Sequence, residues 1–221
     1  IGSAKKSNAN DPDLEREAIE VSNGKNTNVS KNSNMGKSLV TPKENTGMVQ
    51  GFYGNDEKTD DEDEIVVISP SEGTVLTPDD TSQYRECERI KIDESVSRID
   101  SDAFKDFESL SIVDMPSVTE IGFGAFDNCT NLKEINAPNV NNIAPYAFSG
   151  CTKLNNVEMS NVVNIDTLAF KECRSLSNIY MPKVTRLGEE AFRDCAGIIS
   201  VNMPKVDKMG KKVFYKCGNL K

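Results

Sequence analysis

Ile121-Gly122-Phe123-Gly124-Ala125-Phe126-Asp127-Asn128-Cys129 comes back 22 residues later as Ile143-Ala144-Pro145-Tyr146-Ala147-Phe148-Ser149-Gly150-Cys151. The aliphatic, Ala-Phe and Cys positions are kept while the residues between them change. Working outward, Phe104, Phe126, Phe148, Phe170, Phe192 and Phe214 are all 22 apart, and Ala precedes all but Phe214, where Val213 stands. Cys129, Cys151, Cys173, Cys195 and Cys217 follow at +3, with Phe107 in that slot of the first unit. Leu110, Leu132, Leu154, Leu176, Ile198 and Leu220 form the next column. Val113, Ile135, Val157, Ile179 and Val201 follow, then Met115, Ala137, Met159, Met181 and Met203. A turn carries Pro116, Pro138, Pro182 and Pro204, with Ser160 in place of Pro in the third unit. Val118, Val140, Val162, Val184 and Val206 come two residues later, and Ile121, Ile143, Ile165, Leu187 and Met209 complete the unit.

A unit this short cannot bury its apolar face alone, whereas stacked copies bury it together, so the period predicts a solenoid. The L-x-x-I-x-M part reads as a strand with alternate residues inward. Pro ends it because Pro cannot donate to a ladder. The V-x-x-I part returns along the opposite wall, and Gly122, Gly188 and Gly210 suit a tight corner. The Ala-Phe pair is expected in a short helical turn with Phe plugging the interior. At about 4.8 Å per coil, six coils make a body roughly 30 Å long.

These motifs, Ile121 to Cys129 foremost, resemble the BspA-like leucine-rich repeats, whose unit reads approximately I-P-x-S-V-T-x-I-G-x-x-A-F-x-x-C-x-x-L-x-x-I. Ile90-Lys91-Ile92-Asp93-Glu94-Ser95-Val96-Ser97-Arg98-Ile99 resembles the commoner 23-residue form, with Asp93 in place of Pro. The resemblance covers about residues 87–221 and does not extend to 1–64. It implies an α/β repeat fold, a right-handed leucine-rich-repeat solenoid of short parallel strands and short helical turns. It also implies a surface or secreted protein of adhesin type, since that family is associated with bacterial and some protozoan surfaces. The expected partner is a protein or glycan on host or neighbouring cells, and an intracellular protein-binding scaffold is the alternative. Neither reading requires a cofactor or a metal.

The sequence divides into three parts. Residues 1–64 are rich in Asn, Ser, Lys, Gly and Asp, and Asp56–Glu64 holds seven acids in nine residues. Such composition cannot bury enough apolar surface to offset the entropy of ordering, so it reads as a stalk or linker. Glu64–Ser69 reads as a strand, Pro70–Gly73 as a turn and Thr74–Leu76 as a second strand. Together they predict a capping hairpin within 65–86, over the open first coil. Residues 87–221 are the repeats. The chain stops at Leu220-Lys221 with no polar capping unit, which reads as a piece of a longer array or a face covered by a partner.

Charge and composition exclude several functions. Residues 1–86 hold 9 Lys/Arg against 17 Asp/Glu, a balance of −8; residues 87–221 hold 17 against 18, a balance of −1. Neither offers the positive field that nucleic acid requires. No apolar run approaches the roughly 20 residues of a membrane span, and Ile1–Lys6 lacks the apolar stretch of a signal peptide. The chain has no His, which removes Ser-His-Asp and Cys-His nucleophiles and HExxH zinc sites. Only a carboxylate pair or Ser-Lys chemistry remains for an enzyme, and no pair of acids stands apart.

The Cys column has no C-x-x-C spacing and reads as buried thiols ahead of disulfides or metal ligation. Cys87, in the Leu slot of the first coil, is expected to be buried too. The acidic run lacks the spacing of a calcium loop. Asn28-Val29-Ser30 and Asn128-Cys129-Thr130 match the glycosylation pattern by chance. The outward positions of the strand are left for work: Ile112 and Asp114, Glu134 and Asn136, Asn156 and Glu158, Asn178 and Tyr180, Ser200 and Asn202. They predict one shallow sheet of Asn and acid with an aromatic near its middle. The plain reading is a soluble face; the functional reading is a binding surface tested first at Tyr180 and Ile112.

Overall fold

The computed structural model describes residues 65–221, so the stalk of 1–64, its acidic run and the Asn28 motif lie outside the described residues. The described chain winds as a two-walled solenoid. One wall, the front sheet, takes β1 (Ile65–Ile68), β3 (Arg89–Ile92), β5 (Ile112–Asp114), β7 (Glu134–Asn136), β9 (Asn156–Glu158), β11 (Asn178–Tyr180) and β13 (Ser200–Asn202). The back sheet takes β2 (Val75–Leu76), β4 (Arg98–Ile99), β6 (Glu120–Ile121), β8 (Asn142–Ile143), β10 (Asn164–Ile165), β12 (Arg186–Leu187) and β14 (Lys208–Met209). Every pairing is parallel, one coil onto the next. The walls are thin because each strand need only carry one or two side chains inward before Pro or a corner residue turns the chain.

The columns face a common interior. Val113, Ile135, Val118, Val140, Ile121 and Ile143 are all at most 1% exposed. Five of the Phe rings, Phe104 through Phe192, are fully buried and stack face to face with centroids 5.0–5.2 Å apart. Phe214 continues the stack at 5.5 Å and is half-buried. The regular stacking follows from the coil spacing: one ring per coil at one position places each ring against its copies in the adjoining coils.

The Cys column is made of thiols, and none of the six Cys is in a disulfide. Each of the five repeated thiols donates to the Phe carbonyl 25 residues earlier, from Cys129 Sγ to Phe104 O at 3.0 Å through Cys217 Sγ to Phe192 O at 3.1 Å. A small apolar side chain with one weak donor suits this slot. Burial pushes the Cys151 and Cys173 thiols well above the usual range, and Cys217 up to about 11. Such thiols stay protonated and unreactive at neutral pH. Cys87 is half-buried rather than buried, packed against the edge of the core.

Residues 65–86 do not form the expected hairpin. β1 pairs with β3 and β2 with β4, both parallel, so the segment is a coil of its own and the solenoid has seven turns instead of about six. The six residues between Ile68 and Val75 carry the chain around the corner, which places Leu76 over Ile99 in the back wall instead of beside β1. A short helix α1 (Pro78–Thr81) follows, started by a capping box between Thr77 and Asp80. Burial pushes the Asp80 carboxyl up, but hydrogen bonds from Thr77 and Ser71 outweigh it and hold Asp80 below the usual range. Tyr84 is buried one coil before Phe107, and the Thr81 hydroxyl reaches the Ala103 carbonyl.

In the other coils the Ala-Phe segments are hydrogen-bonded turns, not helix. Two residues per coil adopt positive φ, for example Tyr146 (58°) and Gly150 (73°), which stops any helix from propagating. The corner glycines act by a different means from the one their position implied. Gly122, Gly188 and Gly210 are absent from the positive-φ residues. Their need is space: a Cβ on Gly188 would lie 2.3 Å from Thr167 N and 2.4 Å from Asp166 C in the preceding coil.

Candidate functional site

All ten predicted face residues lie on front-sheet strands, and register aligns them in two rows. Ile112, Glu134 and Asn156 are successive partners, as are Asp114, Asn136 and Glu158. Asn178 and Tyr180 partner Ser200 and Asn202. Because the residue between each pair faces inward, both members point out. Ile112 and Asp114 are half-buried and the other eight are exposed, Tyr180 by 64%. The rows are partly self-bonded: Asn136 Nδ2 donates to Asp114 Oδ1 at 2.8 Å and Ser200 Oγ to Asn178 Oδ1 at 2.7 Å.

The single continuous sheet expected of these residues is not what forms. The front sheet runs from β1 to β9, stops, and resumes as β11 with β13, while the back sheet is unbroken through all seven strands. In the paired coils, Met115 N, Ala137 N and Met181 N each donate to the next coil, at 2.8, 3.0 and 3.1 Å. Met159 N has no such bond to Tyr180 O. Lys133 N donates to Ser111 O and Ile199 N to Ser177 O, both at 2.8 Å, but Ser177 N does not reach Asn155 O. The face is therefore two patches separated by an open seam.

Two shallow grooves accompany this division. One of about 220 Å³ lies between Ile112, Asp114, Glu134, Asn136, Asn156 and Glu158, with three carboxylates at its rim and Val113 and Ile135 beneath. The other, about 370 Å³, is the seam, with Asn156, Val157, Glu158 and Met159 on one side and Asn178 and Tyr180 on the other, and Pro138, Asn155 and Ser160 beside them. Val157 is half-buried there, whereas Val113 and Ile135 in the same column are at most 1% exposed. Sequence reasoning missed Arg89 and Lys91, which continue the rows at one end through register with Ile112 and Asp114. Their alternation with Ile90 and Ile92 was the available signal. It also missed the seam, for which the replacement of Pro by Ser160 is the nearest sequence mark.

A second surface feature lies on the turn side. Arg193, Lys212 and Lys216 surround the ring of Tyr215 at 5.6–5.7 Å, and Arg193 is held by Glu190 at 2.8 Å and Asp194 at 3.0 Å. Among the described residues no group of three or more His, Cys, Asp or Glu is placed to hold a metal ion, and no helix is long and apolar enough to cross a membrane.

A filled interior with an open, self-aligned polar face defines a repeat solenoid of the kind that works as a binding scaffold. The chain belongs to the BspA type leucine rich repeat family, whose model matches six copies over residues 97–221. Proteins of this kind are typically non-enzymatic binding scaffolds. A leucine rich cell surface protein from Faecalibacterium prausnitzii A2-165 has a similar structure, with a TM-score of 0.54 and 24% identity over 78% of this chain and 52% of that one. The leucine rich repeat protein of T. pallidum is similar too, with a TM-score of 0.54 and 25% identity over 78% of this chain and 88% of that one. The chain thus spans about half the length of the Faecalibacterium protein. No curated protein sequence matches it significantly.

Proposed function

We propose that the chain is a non-catalytic binding module, surface-exposed or secreted and of adhesin type, that engages a protein or glycan through the outer rows of its front sheet. The observation that carries this reading is the burial pattern. The interior columns are packed shut, and the front rows gather carboxylates, amides and an aromatic ring exposed by 64% where an interface anchor is wanted. The family match and the surface location named for the Faecalibacterium protein support the cellular side of the reading. An intracellular protein-binding scaffold is the second reading, and the buried Cys without disulfides suit it.

The test is binding of the purified chain to immobilised extracellular-matrix proteins and to a glycan array, with and without the double substitution Tyr180→Ala and Glu158→Ala. Loss of the central aromatic and its facing acid should weaken any captured ligand about tenfold or more. Unchanged binding of every captured ligand removes the front face as the site.

A further inference from the structure

Resting on the reading of the front face as a binding surface, we propose that its partner is a protein segment laid over the outer rows with cationic side chains at i and i+2. The carboxylates of the face alternate between the two rows. Asp114 stands in one, Glu134 in the other and Glu158 in the first again, on three successive strands. Asn136 Nδ2 donates to Asp114 at 2.8 Å, but the side chains of Glu134 and Glu158 make no hydrogen bond or ion pair among the described residues. Both are exposed, so their charge is offered outward. On the turns, by contrast, Glu172, Glu190 and Asp194 each have a Lys or Arg within 2.8–3.2 Å.

The groove among these acids has half-buried Ile112 at its edge. An Arg or Lys suits it, because the apolar stem covers Ile112 while the charged head reaches the rim. Glu134 and Glu158 lie diagonally on neighbouring strands, roughly 8 Å apart at the backbone, so one head can sit between both. The second groove shares Asn156 and Glu158 with the first and ends on Tyr180, whose exposed ring can take another cation on its face. Coils are 5.1–5.2 Å apart at the ring stack, which puts the midpoint of Glu158 and Tyr180 about 7–8 Å along the face from Glu134. Two residues of extended chain advance about 7 Å and return to the same side. A basic-x-basic segment therefore meets both places at once. It lies on top of the rows and enters nothing, since Val113 and Ile135 beneath are at most 1% exposed.

Charge also decides between a protein and a glycan. Sulfated and carboxylated glycans are repelled by Glu134 and Glu158, and neutral ones leave both acids without an opposite charge. Arg89 and Lys91, in register with Ile112 and Asp114, bound the cationic contact at one end, so it runs towards β11. Exposed pairs of this kind are individually weak and fade with salt, which sets what a test must read.

The probe is a capped peptide, Thr-Arg-Thr-Arg-Thr, titrated onto the full chain, with amide chemical shifts read by residue. Shifts should centre on Glu134, Glu158 and Tyr180. The peptide should bind more tightly than Thr-Arg-Arg-Thr-Thr, whose cations point to opposite sides, and than Thr-Glu-Thr-Glu-Thr. Glu134→Gln with Glu158→Gln should weaken binding about three- to tenfold while leaving the urea midpoint in place, because neither side chain has a partner to lose. Lys91→Gln should tighten it, and a tenfold rise in salt should weaken it. Absence of binding, equal binding of the acidic or rearranged peptide, indifference to the Gln substitutions or to salt, or capture of a sulfated glycan instead would overturn the cationic partner. The broader reading stands or falls separately. A matrix protein or glycan whose binding is lost with Tyr180→Ala and Glu158→Ala, yet ignores Glu134→Gln and salt, keeps the face and eliminates this partner.

Discussion

Truncating Phe148 to Ala removes the ring at the centre of the stack. Phe148 is completely buried and lies 5.2 Å from Phe126 and 5.1 Å from Phe170. An aromatic side chain of this kind buries at least about 150 Å², which at about 25 cal/mol per Å² is worth roughly 4 kcal/mol. The two ring partners are held in place by their own coils and cannot close the hole. The expected loss is therefore about 3–5 kcal/mol, the range found for buried Phe truncations. Urea unfolding of wild type and variant, followed by circular dichroism, reads this as a lower midpoint. Phe214→Ala serves as the internal comparison, since that ring is half-buried with one stacked partner and should lose clearly less. A loss below about 1 kcal/mol at Phe148, or equal losses at the two positions, would refute the claim that the stack is the structural spine.

Three further outcomes follow from the packing. Gly188→Ala should destabilise by about 1–3 kcal/mol, because its Cβ would strike backbone and not a movable side chain; an unchanged melting temperature would show that the coils part freely there. Cys151→Ala should cost about 1–2 kcal/mol through the lost contact with the Phe126 carbonyl and the space left behind, measurable in the same urea titration, and a stabilised variant would contradict it. Alkaline pH should weaken the fold. Burial raises the folded pKa of the Cys151, Cys173 and Cys217 thiols above the ordinary 9.0, Cys217 to about 11. The unfolded chain then releases protons first as pH rises. Stability is fully present below about pH 9 and falls towards pH 11, by about 1.4 kcal/mol per pH unit for each such thiol. Stability that stays flat across this interval would place the thiols in water.

The 22-residue recurrence settled the interior before any coordinates. A residue repeated at one spacing with one chemistry, such as Phe126, Phe148 and Phe170, has a common environment only if the copies stack, and stacking fixes which side of each strand faces out. That is why Glu134, Asn136, Tyr180 and Asn202 were legible as surface. The sequence also indicated thiols at the Cys column, since one inward Cys per coil suits a small buried hydrophobe.

What the repeat does not encode had to be decided by three-dimensional packing. Residues 65–86 depart from the consensus, and Ile65–Ile68 with Val75–Leu76 reads as a hairpin. They form a coil instead because Leu76 is buried above Ile99 and β1 finds its partner in β3. Gly188 is required by the approach of Asp166 and Thr167 from the preceding coil, a distance no local pattern contains. The seam is the clearest case: Val157 and Ile179 fit the same column as Val113 and Ile135, yet one pair of strands is joined and the other is not. Periodicity specifies what each coil contributes to the core, whereas the closure of each step depends on the sum of contacts along the whole wall.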